Sequence, residues 1–272
     1  MSDTKLDPKK QEPNWCSTTV DIGLDVQTAQ NALNHLAANP RLLFESASVR
    51  QIIAMDRLQT IDDTKVKTLD ENPPDAIRDA LQYNIDTMKT GAALSRPDLL
   101  INPLTSIDLI RHRIGDLKVL TVGPRSESEI FSLLAAGFSP NRIRGLDLFS
   151  YSDFVDVGDM HDMPYPDNTF DVVILGWVLA YSTDNARVAR EVRRVSAPGA
   201  FVAVGCQYLP YSSEVLKEHD GDDFMDPTRF WQLSDILSLW EGEISYVPFQ
   251  HDIHPAMKGN VGDIMTIFQF DG

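Results

Sequence analysis

Apolar positions in the first part of the chain recur at three- and four-residue intervals. Val26, Ala29, Leu33 and Leu36 form one set, and Val49, Ile52 and Ile53 a second. Ile77, Leu81, Ile85 and Met88 follow the ENPPD stretch, whose prolines stand just ahead of a helix, and Leu104, Ile107, Ile110 and Ile114 are entered through Asn102–Pro103. This spacing stacks apolar side chains on one face of an α-helix. No strand signal interrupts it, so residues 23–115 read as a helical section. The polar, proline-containing residues 1–22 before it are expected to be a loosely held tail.

The pattern changes at Lys118. KVLTV (118–122), IRGLDLF (143–149), the start of DVVILGWVLAY (171–181) and AFVAVGC (200–206) are short apolar runs of the kind buried on both faces of a sheet. EIFSLLAAGF (129–138), closing on Gly137, and NARVAREVRRV (185–195), ending at Ala197–Pro198–Gly199, are helices between them. Such alternation predicts an α/β fold with a mainly parallel sheet over residues 116–272. RFWQLSDILSLW (229–240) reads as a further helix. SYVPFQ (245–250) and DIMTIFQF (263–270) are joined too closely for a helical crossover and should form a C-terminal antiparallel hairpin.

Charge and cysteine usage then remove several classes of function. Against 40 Asp+Glu stand 24 Lys+Arg, a formal net charge of −16, so the chain as a whole has no basic footprint for nucleic acid or for an anionic membrane. No run approaches the roughly 18 apolar residues of a membrane span. Cys16 and Cys206 are far apart and lack metal-site spacing, which fits a reducing, cytoplasmic setting. The partner expected is a small molecule.

Ligands of open α/β sheets bind outside the carboxyl ends of the strands. That rule singles out Gly123, Pro124 and Arg125 after the first strand, Asp147 and Leu148 after the second, and Gly158, Asp159 and Met160 in the next segment. Gly176 and Trp177 follow the strand after that. Asp147 stands 24 residues after Gly123, near where nucleotide-binding folds place an acid for ribose hydroxyls. By spacing alone it is equally a strand-end cap.

The stretch VDVGDMHDMPYPDNTFDVVILGWVLAY (155–181), followed by REVRRVSAPGAFVAVG (190–205), resembles the class I S-adenosylmethionine-dependent methyltransferases, in particular the small-molecule branch that includes quinone-biosynthesis enzymes. Asp159, the run Pro164–Asp171, Glu191, Arg194, Val195, Pro198 and Gly199 match the family pattern; Ala200 replaces its second glycine. The resemblance covers roughly residues 118–206 and implies a Rossmann-like methyltransferase fold that uses S-adenosylmethionine as cofactor. It implies that Asp147 takes the ribose diol, Asp159 the adenine amino group and Met160 the ring edge, with Gly176 and Trp177 lining the passage to the acceptor. Trp177 reads equally as a core aromatic.

The first loop departs from the family. Its usual acid is replaced by Thr121, and Arg125 and Glu127 stand where the second and third glycines would be. In one reading the loop is rebuilt for a zwitterion: Arg125 pairs with the cofactor's carboxylate, and Glu127 or Glu129 holds its ammonium. In the other, the acids only favour a helix N-terminus, and the protein is a non-catalytic binding or scaffold partner in a biosynthetic complex. The two Glu would repel a pyrophosphate, which argues against a nicotinamide dinucleotide. Candidate bases for methyl transfer are His161, Tyr181, His251 and His254. The last two, with Asp252, could instead contact a divalent ion or be plain exposed loop residues, and no metal site is assigned. The helical section is an acceptor cap, a dimerisation surface or an extension of the core, and residues 208–227 are a candidate lid.

Overall fold

The computed structural model describes residues 25–60, 66–69, 96–124, 126–210 and 230–272. The chain divides into two compact units, Met1–Pro40 and Arg41–Gly272. In the first, helical periodicity yields Val26–Ala38 (α1), started by Asp25, whose carboxylate accepts from the Thr28 amide at 2.7 Å and so satisfies one orphan donor of the first turn. The remaining elements belong to the second unit, beginning with Ala47–Gln59 (α2). The tail over residues 1–22, the helix through Ile77 and Met88 and all of the candidate lid 208–227 beyond residue 210 lie outside the described residues.

Two expectations for the helical section are corrected. The section contains a strand, Lys67–Thr68 (β1), which pairs antiparallel with Phe149–Ser150; a two-residue ladder leaves no periodicity to read. The helix expected to start at Asn102–Pro103 instead runs Arg96–Ser106 (α3) with Pro103 inside it, and Asp108–Arg111 (α4) follows after Ile107 turns extended. Leu100, Ile101 and Leu104 of α3 are buried, and this packing outweighs the local start signal of the proline.

Beyond residue 115 the elements are Val119–Val122 (β2), Glu127–Ala136 (α5), Ile143–Asp147 (β3), Phe149–Ser150 (β4), Val155–Val157 (β5), Phe170–Gly176 (β6) and Asn185–Val195 (α6). Ser196–Tyr208 (β7), Leu233–Leu237 (α7), Ile244–His251 (β8) and Gly262–Phe270 (β9) complete the chain. Seven strands form one sheet in the order β5-β3-β2-β6-β7-β9-β8. It is parallel from β5 to β7, and β9 runs antiparallel to both β7 and β8. The predicted mainly parallel, Rossmann-like sheet with a closing antiparallel hairpin is therefore present. The short edge strand β5, half-buried throughout, carried no apolar run to announce it. The helix expected over 229–240 is shorter: Gln232 and Asp235 form a capping box that starts α7, and a single 3₁₀ turn, Ser238–Trp240, ends it.

Alternation along the central strands sends side chains into two cores. Val173 and Leu175 face one side, with Val188, Val192 and Val195 of α6 and with Trp240. Val172 and Ile174 face the other, with Ile130 and Leu133 of α5 and with Leu100 and Leu104 of α3. Each such aliphatic chain contributes about 1.5–3 kcal/mol on burial. Helix α3 is thus a layer of the α/β core itself.

The segment between β5 and β6 is tied to α6 by one arginine. Arg194 donates to the carbonyls of Tyr165 (2.7 Å) and Met163 (2.9 Å), to Asp167 (2.9 Å), and through two nitrogens to Glu191 (2.7 and 2.8 Å). Glu191 also accepts from the Met163 amide at 2.7 Å. The Arg194 hydrogen bonds hold the Glu191 carboxyl below its ordinary range, against burial, which raises it. A depressed carboxyl stabilises the fold above its unfolded value, and that contribution is lost as pH falls through the folded one. Glu191→Gln should therefore cost about 1–2 kcal/mol at neutral pH. The gap to wild type, read by urea denaturation, should close as pH falls below the ordinary glutamate value of 4.5.

Candidate functional site

Strand β2 pairs with β3 on one side and β6 on the other, so the strand order reverses at its edge with β6 and a crevice opens beyond the carboxyl ends. The registers put Val122, Leu146 and Leu175 at one level. The residues next along each strand, Gly123, Asp147 and Gly176, therefore emerge side by side. Gly123 has φ +66°, and a Cβ on it would lie 2.7 Å from Val178 Cγ2, so only glycine lets the loop after β2 pass the one after β6. Pro124 is buried beside it. Arg125 lies outside the described residues.

Ser126 caps α5, and both acids of its first turn are buried, Glu127 at 1% exposure and Glu129 at 7%. They are not surface residues, and they point to different places. Glu129 reaches back to the buried Thr121, whose hydroxyl donates to Glu129 Oε1. Its two carboxylate oxygens would stand 3.6 and 3.7 Å from a Cβ on Gly176. A buried carboxylate from α5 thus stands beside Thr121 and Gly176, near the ends of β2 and β6.

Glu127 turns toward α2 and is gripped in a fork by Arg57, Nε to Oε2 at 2.5 Å and Nη2 to Oε1 at 3.0 Å. Ser152 donates to the same carboxylate at 2.6 Å, and the Tyr151 hydroxyl accepts from the Glu127 amide at 3.2 Å. Burial, reinforced by the Glu127 charge, pushes the Tyr151 phenol up to about 12, so it stays neutral in the working range. A small hollow opens here, lined by Pro124, Ser126, Glu127, Asp147, Tyr151 and Ser152 among others. Asp147 is held at the end of β3 by its own turn, Oδ1 accepting from the Leu148 amide at 2.7 Å, and the Leu148 carbonyl accepts from Leu69 beside β1 at 2.8 Å.

Asp159 follows Gly158, where a Cβ would meet Leu146 at 2.7 Å. Its Oδ1 accepts from the His161 amide at 2.8 Å and lies 2.6 Å from the ring Nδ1, while His161 Nε2 lies 2.9 Å from Ser182 Oγ. Burial pushes the Asp159 carboxyl up, but the hydrogen bonds and charge of His161 outweigh it and hold the group below its ordinary value. Met160 is half-buried against the α6 core. Trp177 is buried and left-handed at φ +60°, a conformation that costs a bulky residue about 1–3 kcal/mol. Its Nε1 donates to Asp263 at 2.7 Å and its ring packs over Gly205 within the core that also holds Leu100 and Ile174.

The remaining candidates are not drawn into this cluster. Tyr181 is exposed, and His251 and His254 lie at and beyond the end of β8, the outermost strand, where the His254 ring caps the following turn through the Ala256 amide. Arg57, Ser152 and Asp263 are functional neighbours that local motifs miss, since they reach partners 70, 25 and 86 residues away in the chain. The one signal for Arg57 is that it follows Arg50 by two helical turns.

Gly123→Ala should lower stability by roughly 1–3 kcal/mol through the forced positive φ and the overlap with Val178. Thermal unfolding would check this, and adding Val178→Ala should recover part of the loss by removing the overlapping methyl.

Residues 131–204 match the methyltransferase domain family. Over 55 residues the chain is 42% identical to a 2-phytyl-1,4-naphtoquinone methyltransferase of Synechococcus elongatus, covering 20% of this chain and 24% of that protein. Over 49 residues it is 43% identical to ajmaline N-methyltransferase of Rauvolfia serpentina, covering 18% and 17%. The chain thus spans about a quarter or less of the length of these curated relatives. A solved SAM-dependent methyltransferase from Methanosarcina mazei is 17% identical, with a TM-score of 0.44 over 61% of this chain and 98% of that one. Residues 131–204 are thus similar to the methyltransferase domain family, and the sheet built around them is mainly parallel with a closing antiparallel hairpin.

Proposed function

We propose that the protein transfers a methyl group from S-adenosylmethionine to a small-molecule acceptor. The observation that carries this reading is the buried Glu129 carboxylate, which stands at Thr121 beside Gly176 and restores an acid to the tip of the first central strand. Around it the donor set suits the cofactor part by part. Asp147 can accept both protons of a ribose diol, Glu129 can hold the ammonium of the methionine end, and the side chain of Asp159, 45% exposed, can meet an adenine amino group. A zwitterion matches this acidic crevice; a pyrophosphate would be repelled by it.

When bound, the cofactor supplies an electrophilic methyl group on its sulfonium. The chain's own contribution is positioning: Gly123 and Gly176 allow close approach. A small acceptor is supported by the net charge of −16, which disfavours nucleic acid, and by the relatives, whose names give 2-phytyl-1,4-naphtoquinone and ajmaline. No helix among the described residues is long and apolar enough to cross a membrane. The cysteine usage supports a cytoplasmic setting.

Calorimetric titration with S-adenosylmethionine and with S-adenosylhomocysteine tests the proposal. Wild type should bind both in the micromolar range, and Asp147→Ala and Glu129→Gln should each weaken binding about tenfold or more, equivalent to about 1.4 kcal/mol. A folded protein that binds neither ligand would sink the reading in favour of a non-catalytic scaffold; intrinsic binding of NAD(H) would point to an oxidoreductase.

A further inference from the structure

Helix α2 carries two arginines seven residues apart, hence on one face, and each reaches a carboxylate on another element. Arg50, 6% exposed, donates to Asp98 of α3 at 2.8 Å and to the carbonyls of Phe44 and Glu45 at 2.5 and 3.2 Å. Arg57 forks onto Glu127 in the first turn of α5. Its guanidinium also stands 6.0 Å from the centre of the Phe131 ring, which meets Phe44 edge-on at 5.2 Å. One end of α2 is therefore fixed to a layer of the core and the other to the turn that follows the ligand loop.

Glu127 occupies the position of the loop's third glycine, and a carboxylate 1% exposed keeps its charge only with a partner. It lines the same hollow as Asp147. Left unpaired, it would compete with Glu129 for the single ammonium of a zwitterionic ligand and would repel Asp147 across the hollow. We infer that Arg57 is a positioning residue of the cofactor loop: its fork neutralises Glu127 and holds it toward Ser152, keeping that charge from competing for the ligand's ammonium. Helix α2, which lies outside the matched residues 131–204, is thereby a working part of the site. The inference rests on the function proposed above and adds the element that sets the loop's charge and shape.

The test uses the full chain and four variants: Arg57→Ala, Arg57→Lys, Glu127→Gln and the double Arg57→Ala/Glu127→Gln. Binding of S-adenosylhomocysteine is titrated, and amide hydrogen exchange is followed over residues 126–131, with residues 201–206 of β7 as the internal reference. Arg57→Ala should weaken binding about tenfold or more and speed exchange over 126–131 alone, since it strands a buried charge. Arg57→Lys, which keeps the charge and loses the fork, should fall between. Glu127→Gln alone should change affinity less than Arg57→Ala does. Adding Glu127→Gln to Arg57→Ala should recover most of the affinity, which a merely structural tether would not do.

Binding by Arg57→Ala within about twofold of wild type, or a double variant no better than Arg57→Ala, overturns the inference. If Arg57→Ala does not fold, Arg57→Lys and the double variant carry the same comparison. If wild type binds no cofactor, the proposed function falls by itself, and exchange still decides whether Arg57 sets the loop: unchanged rates over 126–131 overturn it.

Discussion

Parallel pairing of β2 with both β3 and β6 is the constraint from which the site follows. A parallel ladder advances its neighbours in the same direction, so the strands end on one side of the sheet. Because Val122, Leu146 and Leu175 share a level, Gly123, Asp147 and Gly176 leave the sheet together. The crossovers from β2 and β6 depart to opposite faces, α5 on one and α6 on the other, which opens the crevice between them. Gly123 and the left-handed Trp177 are the backbone accommodations to this geometry: one passes close to Val178, the other turns a bulky ring inward over Gly205.

The second physical theme is how an acidic chain buries carboxylates. Glu127 and Glu129 stand two residues apart in one helical turn, and α-helical geometry sends them in different directions. One finds a hydroxyl on the neighbouring strand, Thr121, and the other a guanidinium brought by α2. Within one helical turn the two carboxylates are thus answered by different partners, a guanidinium fork at Glu127 and a hydroxyl at Glu129. The same logic recurs away from the site, where Arg194 gathers Glu191, Asp167 and two carbonyls and so fixes the turn into β6.

The N-terminal helices are more closely involved than their separate periodicity suggests. Helix α3 closes one face of the sheet, α2 holds the first turn of α5, and β1 pairs with β4 just past Asp147. Each places part of the helical section against the α/β core or the edge of the crevice. Different pieces of the section thus take different places: α3 is core, while α2 packs on the first turn of α5 and β1 pairs beside the end of β3.

Most of the architecture could be read from the chain because its signals are local. Four strands declare themselves as short apolar runs, the helices over 129–138 and 185–195 through a period of 3.6, and the closing hairpin through its short connection. The matching stretch from Gly158 to Gly199 likewise carries its identity in consecutive residues. What the sequence could not supply were contacts whose partners are distant in the chain and carry no periodicity. The fork of Arg57 on Glu127, the bond from Trp177 to Asp263, the β1–β4 ladder and the choice between Glu127 and Glu129 are of this kind. Local spacing left both glutamates as equal candidates. Only the packing of α2 and β2 around the first turn of α5 decided that Arg57 meets Glu127 and Thr121 meets Glu129, because a buried charge takes whatever partner the fold brings within reach.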